Sequence, residues 1–153
     1  MAPRKGTRGK TLLSAFVDSN IFIAFANKRD RNHERSVELL DRLRRGEFGA
    51  TFRSDYVFDE AVTAALVRTG RLEIAVKMGK LILGSKEESI PSLVRLAKVD
   101  ERIFAEAWTT FRTGRFEGLS FTDHTILAQL KESKTEALIS FDTDFDGLTT
   151  RIS

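Results

Sequence analysis

Short apolar segments alternate along this chain with longer segments of helical periodicity, and this alternation restricts the fold more than any other feature. Strands are predicted at residues 11–17, 50–53, 92–96, 136–141 and 148–152. Helices are predicted at residues 20–27, 32–45, 55–69, 71–83, 100–112 and 120–131. Strands that alternate with helices of this length are typical of a parallel sheet covered by helices on both faces. The pattern therefore predicts an α/β fold.

The apolar residues of two predicted helices indicate which side of each helix faces the core. Val37, Leu40 and Leu43 recur at helical spacing in the segment 32–45. A second set shares one side of the segment 100–112, where we expect core packing or a dimer surface: Ile103, Phe104, Ala107, Trp108 and Phe111.

The charge of the chain is unevenly distributed. The 153 residues carry a net charge of +3, and the first 11 contain Arg4, Lys5, Arg8 and Lys10 without an acid. Without those cations the acids outnumber the bases by one, so the net charge alone is a weak indication of nucleic-acid binding. We divide the chain into a basic flexible tail at residues 1–11 and a single domain at residues 12–153.

Composition excludes several kinds of site. The chain has no Cys and only two His, which rules out disulfides and thiolate metal sites and leaves oxygen as the main metal ligand. The longest apolar run, residues 21–26, is far shorter than a membrane-spanning helix requires. We therefore expect a cytoplasmic protein without a membrane span.

Carboxylates follow the predicted strands at one edge of the sheet. Asp18 directly follows the first strand, and Asp142 follows the strand 136–141. The carboxyl ends of parallel strands meet at the same edge, where ligand sites of such folds form. Asp123 lies in the first turn of its predicted helix, and Glu60 lies about one and a half turns into the helix 55–69. We expect these four side chains to converge.

Glu60 is the most informative of the four acids. Its neighbours at helical spacing are Val57, Ala64 and Val67, whereas Asp59 points away as an ordinary surface acid. A carboxylate on an apolar stripe loses hydration and needs a partner to remain ionised. No Lys or Arg lies on this stripe, although Arg68 is near on the helix, so a bound cation would satisfy Glu60.

Four converging carboxylates predict a divalent metal site. Oxygen ligands select Mg²⁺ or Mn²⁺, and such an ion activates water for phosphoryl displacement. One ion and two ions are both compatible with the pattern, and Asp144 is a candidate fifth ligand. Each aspartate also has a purely structural interpretation: Asp18 as a helix cap, Asp123 in a capping box with Ser120, and Asp142 in a turn.

Two weaker patterns do not change this interpretation. Asp142, Asp144, Asp146 and Gly147 match the start of an EF-hand loop, but the twelfth position would be the terminal Ser153 rather than Glu. His124 follows Asp123 in a helical turn, where we expect contact with solvent or packing rather than contact with a substrate.

Four segments in this order resemble the PIN-domain nucleases. They are AFVDSNIFIAFA around Asp18, SDYVFDEAV around Glu60, LSFTDHTILAQ around Asp123 and ISFDTDFD around Asp142. Together they extend from residue 14 to residue 146. The resemblance implies a three-layer α/β/α sandwich with a central parallel sheet.

The same resemblance implies a function and partners. It aligns Asp18, Glu60, Asp123 and Asp142 with the family's acidic catalytic quartet, and Asn20 and Ser140 with its small polar, substrate-binding positions. It implies Mg²⁺- or Mn²⁺-dependent hydrolysis of single-stranded RNA by a VapC-type toxin that forms a homodimer and is silenced by a small antitoxin. The alternatives are a non-catalytic PIN-fold module that binds RNA or protein, and an RNA-processing nuclease outside toxin–antitoxin systems.

Overall fold

The computed structural model describes residues 12–153, and the predicted basic tail at residues 1–11 lies outside the described residues. Six α-helices and five strands follow one another in that part of the chain. In chain order they are β1 (Ser14–Val17), α1 (Ser19–Ala26), α2 (His33–Arg44), β2 (Ala50–Arg53), α3 (Asp55–Thr69), α4 (Leu72–Leu83), β3 (Arg95–Leu96), α5 (Glu101–Arg112), α6 (Phe121–Ser133), β4 (Ala137–Ile139) and β5 (Arg151–Ile152).

The five strands form one sheet in the order β3-β2-β1-β4-β5, and every neighbouring pair is parallel. In the neighbouring strands β1 and β4, residues 15–17 and 137–139 are all apolar and almost completely buried. Such strands are typical of a sheet with helices on both faces. Helices α1 to α4 pack together as one group, and α5 packs on α6 as the other. The predicted α/β/α architecture is confirmed.

Helix α3 shows why some predicted boundaries agree with the structure. The Ser54 hydroxyl accepts a hydrogen bond from the Val57 amide at 3.0 Å and caps the helix. Gly70 ends the helix with φ of +64°, where its amide donates to the Leu66 carbonyl. Both signals lie within a few residues of the helix end, so the local sequence is sufficient to define them.

Two predicted helix faces differ from the faces that the structure buries. In α2 the buried residues are Ser36, Leu39, Leu40 and Leu43, while Val37 is 41% exposed. In α5 only Ile103 and Ala107 are buried, and Trp108, for which core packing or a dimer surface is predicted, is 51% exposed and does not belong to the core. Helix α5 has one extensive helical neighbour, α6, and a single neighbour covers only part of a helix surface.

The last differences concern the edges of the sheet. The predicted strand 92–96 is reduced to Arg95–Leu96, and the preceding residues form an isolated antiparallel bridge between Ser85 and Ile90. A short 3₁₀-helix at Thr143–Phe145 was not predicted; it begins where the Asp142 side chain accepts from the Asp144 amide.

Among residues 12–153, no helix has both the length and the apolar content of a membrane-spanning segment.

Candidate active site

The four predicted acids line one cavity at the edge of the sheet. Strands β1 and β4 are paired neighbours, and the Asp18 amide continues their ladder by donating to the Ile139 carbonyl at 3.0 Å. The cavity has a volume of about 350 Å³. Its lining comprises Asp18, Ser19, Asn20, Ile23, Ala24, Asp30, Asn32, Glu60, Arg68, Gly118, Ser120, Asp123, Phe141 and Asp142. The parallel register therefore brings together acids that are far apart in sequence.

Asp18 is held by a dense set of donors and is only 3% exposed. Its Oδ1 accepts from the Ser19 amide at 2.7 Å. Its Oδ2 accepts from the Ser140 hydroxyl at 2.7 Å and from the Asn20 amide group at 3.1 Å. The predicted helix-cap role of Asp18 is therefore real, and it coexists with a position in the cavity.

Asn20 and Ser140 connect Asp18 to the end of β4. The Asn20 amide group donates to the Ser140 hydroxyl at 3.1 Å, and its carbonyl oxygen accepts from the Phe141 amide at 3.1 Å. The Ser140 hydroxyl also accepts from the Asp142 amide at 3.0 Å. These contacts orient the acids, while the substrate-binding role of the two residues stays a prediction.

Asp123 and Asp142 each use one oxygen to shape the chain. Asp123 Oδ2 accepts from the Ser120 amide at 2.8 Å, and the Ser120 hydroxyl accepts in return from the Asp123 amide, which completes the capping box. Asp142 Oδ1 accepts from the Asp144 amide at 2.9 Å. Each of these backbone hydrogen bonds occupies a single oxygen of its carboxylate. One oxygen of each is thus available to a ligand.

Glu60 contains a buried oxygen atom without a partner. Its Oε2 is shielded from solvent, and no donor within residues 12–153 reaches it. The apolar stripe predicted around it is only partly present, because Val57 is buried but Val67 is 76% exposed. Asp59 is exposed, as predicted. An orphaned buried carboxylate oxygen costs free energy unless a cation or a proton satisfies it.

The environment of the cavity favours the protonated form of three carboxyl groups. Burial raises the pKa of Asp18 to about 7, and the Asp123 and Glu60 charges add to this rise while the Ser140 hydroxyl opposes it. Burial, followed by the nearby Asp123 charge, raises the pKa of Glu60. Burial also raises the pKa of Asp123, against which the Ser120 amide acts. Within the described residues no Lys or Arg forms an ion pair with any of the four acids.

These residues fit a divalent cation with oxygen ligands. In the part of the chain that the structure describes, no three acidic or histidine side chains are already arranged as a metal site. Mutual repulsion keeps carboxylates apart when no cation lies between them. The orphaned Glu60 oxygen and the raised pKa values of the neighbouring acids are the features that a cation would relieve. The identity of the metal stays a prediction.

Other predicted residues lie at or beyond the border of the cavity. Asp144 is exposed and does not line it; its carboxylate lies beside Gly118, which does. Its role as a fifth ligand stays a prediction. His124 is buried, and its Nδ1 lies 2.7 Å from the Thr110 hydroxyl. Of the two environments expected for His124, solvent contact and packing, the structure shows packing.

Among the cavity residues that sequence reasoning missed are three with charged or amide side chains: Asp30, Asn32 and Arg68. Asp30 and Asn32 belong to the loop between α1 and α2, and no local pattern indicates where that loop lies. The position of Arg68 on the helix that carries Glu60 was a partial signal for its presence here.

Replacing Ser140 with alanine is expected to raise the pKa of Asp18 above its value of about 7. The Ser140 hydroxyl donates to the charged form of Asp18, so its loss favours the protonated form. A pH titration of the Asp18 carboxyl followed by NMR in metal-free protein measures the change. Ser36→Ala, which removes a buried hydroxyl in α2 that donates to the His33 carbonyl, is the control. Equal titration midpoints in both variants would contradict the expectation.

Comparison with known families and proteins identifies relatives of the whole domain. A family model described as PIN domain matches residues 15–149. A VapC ribonuclease from Archaeoglobus fulgidus is 26% identical over 134 residues, which cover 87% of this chain and 80% of that protein. The matched region contains all four acids of the cavity.

Solved structures show the same fold. The sarcin–ricin-loop-cleaving toxin VapC20 from Mycobacterium tuberculosis has a TM-score of 0.69 and 24% identity, over 86% of this chain and 92% of that one. A chain of VapBC2 from Rickettsia felis, bound to a DNA fragment from the promoter, has a TM-score of 0.62 and 12% identity. This match covers 91% of the chain described here and 97% of the VapBC2 chain. At these identities the structural likeness establishes the fold of the chain.

Proposed function

The chain belongs to the PIN-domain family. We propose that it is a metal-dependent endoribonuclease that hydrolyses phosphodiester bonds of single-stranded RNA. We propose further that it is the toxin of a toxin–antitoxin pair. The observation that carries the proposal is the buried, unpartnered oxygen of Glu60 beside three aspartates in one cavity. The similarity to the VapC ribonuclease of Archaeoglobus fulgidus supports the ribonuclease activity.

In this proposal Asp18, Asp123 and Asp142 hold Mg²⁺ or Mn²⁺ directly, and Glu60 either joins them or orients the attacking water. When bound, the ion activates water and neutralises the leaving oxygen. The chain's own part is to fix the ligands: Asn20 and Ser140 hold Asp18 through hydrogen bonds, and the capping box holds Asp123. Water-excluding burial of Asp18 strengthens its attraction for a cation.

The proposed partners follow from the related structures. The similarity to a chain of VapBC2 from Rickettsia felis supports a small antitoxin as a partner of this chain. A homodimer and a cytoplasmic location belong to the same proposal. Light scattering of the purified protein, with and without a co-expressed antitoxin from an adjacent reading frame, measures both associations.

Purified protein incubated with labelled single-stranded RNA is expected to cleave it in Mn²⁺ or Mg²⁺ and to stop in excess EDTA. DNA of the same sequence is the matched substrate, and we expect it to be cleaved more slowly. Cleavage that persists in excess EDTA would reject the mechanism. Metal-independent RNA binding without turnover would favour the alternative of a non-catalytic binding module.

A further inference from the structure

We propose that Arg68 binds the phosphate backbone of the RNA substrate next to the acidic centre. This inference rests on the proposed function and adds a positioning residue to it. Five acids line the cavity: Asp18, Asp30, Glu60, Asp123 and Asp142. The proposed metal ion offsets part of this negative charge, and a cationic side chain in the same cavity would add attraction for the phosphates on either side of the reacting one. Among the described lining residues, Arg68 is the single Lys or Arg.

The position of Arg68 on α3 points its side chain toward the acidic centre. Arg68 lies eight residues after Glu60, which corresponds to about 12 Å along the helix axis. Arg68 and Glu60 line the same cavity, and the positive charge of Arg68 opposes the rise in the pKa of Glu60, so the guanidinium lies on the side of the acidic centre. A backbone phosphate beside the reacting one would therefore meet the guanidinium.

The guanidinium of Arg68 is free to bind a ligand. Several other arginines are neutralised within the protein: Arg42 pairs with Glu47, Arg44 with Asp41, and Arg71 with Glu73. Within residues 12–153, Arg68 forms neither an ion pair nor a side-chain hydrogen bond. Its five donors are thus available in the fork geometry that suits phosphate.

A purely structural interpretation of Arg68 also exists, because cations are favoured in the last turn of a helix. Arg112 provides the matched control. It is exposed, lies in the last turn of α5, forms no ion pair within the described residues and does not line the cavity. A helix-end effect would be the same for both residues, whereas a phosphate contact belongs to Arg68 alone.

The experiment compares cleavage of one single-stranded RNA by the wild type, Arg68→Ala, Arg68→Lys and Arg112→Ala in Mn²⁺ at several KCl concentrations. We expect Arg68→Ala to lower kcat/KM about tenfold, mainly through KM, because hydrogen bonds to charged groups are the strong ones. The slope of log kcat/KM against log salt should become shallower by about 0.7, the share of one phosphate contact to a single strand. Arg68→Lys should retain the salt slope and lose part of the affinity.

Equal kinetics for Arg68→Ala and Arg112→Ala would overturn the proposal, and so would a loss of activity with an unchanged salt slope. Fluorescence anisotropy of the same labelled RNA is measured in parallel. A wild type that binds RNA but does not cleave it would reject the proposed nuclease, while weaker binding by Arg68→Ala than by Arg112→Ala would still support Arg68 as the phosphate contact. If the wild type does not cleave RNA and the two variants bind it equally, both the proposed nuclease activity and the phosphate contact of Arg68 are rejected.

Discussion

Replacing Asp18 with asparagine is expected to abolish RNA cleavage and to remove a pH-dependent loss of stability from the metal-free protein. Asparagine has nearly the same shape but no negative charge, so it cannot neutralise a bound cation. Substitution of a residue that only supports a metal ligand typically lowers metal affinity or activity about 10–100-fold. We expect Asp18→Asn, which removes a carboxylate of the site itself, to lower activity by at least about 100-fold.

The sign of the stability effect follows from the raised pKa of Asp18, about 7 in the folded protein against 3.8 for an ordinary aspartate. Between these two values the folded state holds a proton that the unfolded state has lost. Stability therefore falls as pH rises from about 4 to about 7, by roughly 4 kcal/mol at most. The variant lacks this contribution, so its stability relative to the wild type should increase from pH 5 to pH 8.

Urea unfolding in EDTA at pH 5 and pH 8 measures the stability difference, and cleavage of labelled RNA in Mn²⁺ measures activity. Asp59→Asn is the control, because Asp59 is an exposed acid on α3 outside the cavity. Full cleavage by Asp18→Asn would reject the metal mechanism. A stability difference that is the same at both pH values would show that Asp18 titrates normally.

Mn²⁺ is expected to stabilise the wild-type protein at pH 8 and to do so much less at pH 5.5. A ligand at 100 times its Kd adds about 2.7 kcal/mol to stability, which corresponds to a rise in Tm of about 5–10 °C for a domain of this size. At pH 5.5 the proton competes for Asp18, because this pH lies below its pKa of about 7. The same acids that make the metal-free site costly therefore make its metal binding dependent on pH.

Thermal unfolding with and without Mn²⁺ compares the wild type with Glu60→Gln and Asp59→Asn, two neighbouring carboxylate-to-amide changes on one helix. We expect Glu60→Gln to lose most of the metal-dependent rise in Tm, because its buried Oε2 has no partner within the described protein. Asp59→Asn should keep the whole rise. Equal rises in both variants would show that Glu60 is not a metal ligand, and a larger rise at pH 5.5 than at pH 8 would place the metal away from Asp18.

Local features were predictable wherever a few neighbouring residues decide the backbone. The prediction for β2, residues 50–53, and the prediction for α3, residues 55–69, agree with the structure at both ends. The ends of α3 were predictable because both are decided locally: a serine hydroxyl caps its first turn, and a glycine with positive φ ends it. The candidate site was predictable for a different reason, because parallel strands carry their carboxyl ends to a common edge.

Burial on the helix faces was predicted less well. Helical spacing places Val67 near Glu60 and Trp108 near Ala107, yet both Val67 and Trp108 are exposed. Periodicity defines the angle of a side chain around its own helix axis. It does not define how many neighbours pack on that helix, and α5 has only one extensive helical neighbour.

The sequence alone was sufficient for the order of the elements, the parallel sheet and the common edge of Asp18 and Asp142, because each depends on local hydrogen bonding or on strand direction. Only the tertiary structure decided that Ser140 holds Asp18 from 122 residues away, that a Glu60 oxygen is buried without a partner among residues 12–153, and that Arg68 shares their cavity. Those facts depend on distances between separate elements, which the packing of side chains sets and no pattern along the chain contains.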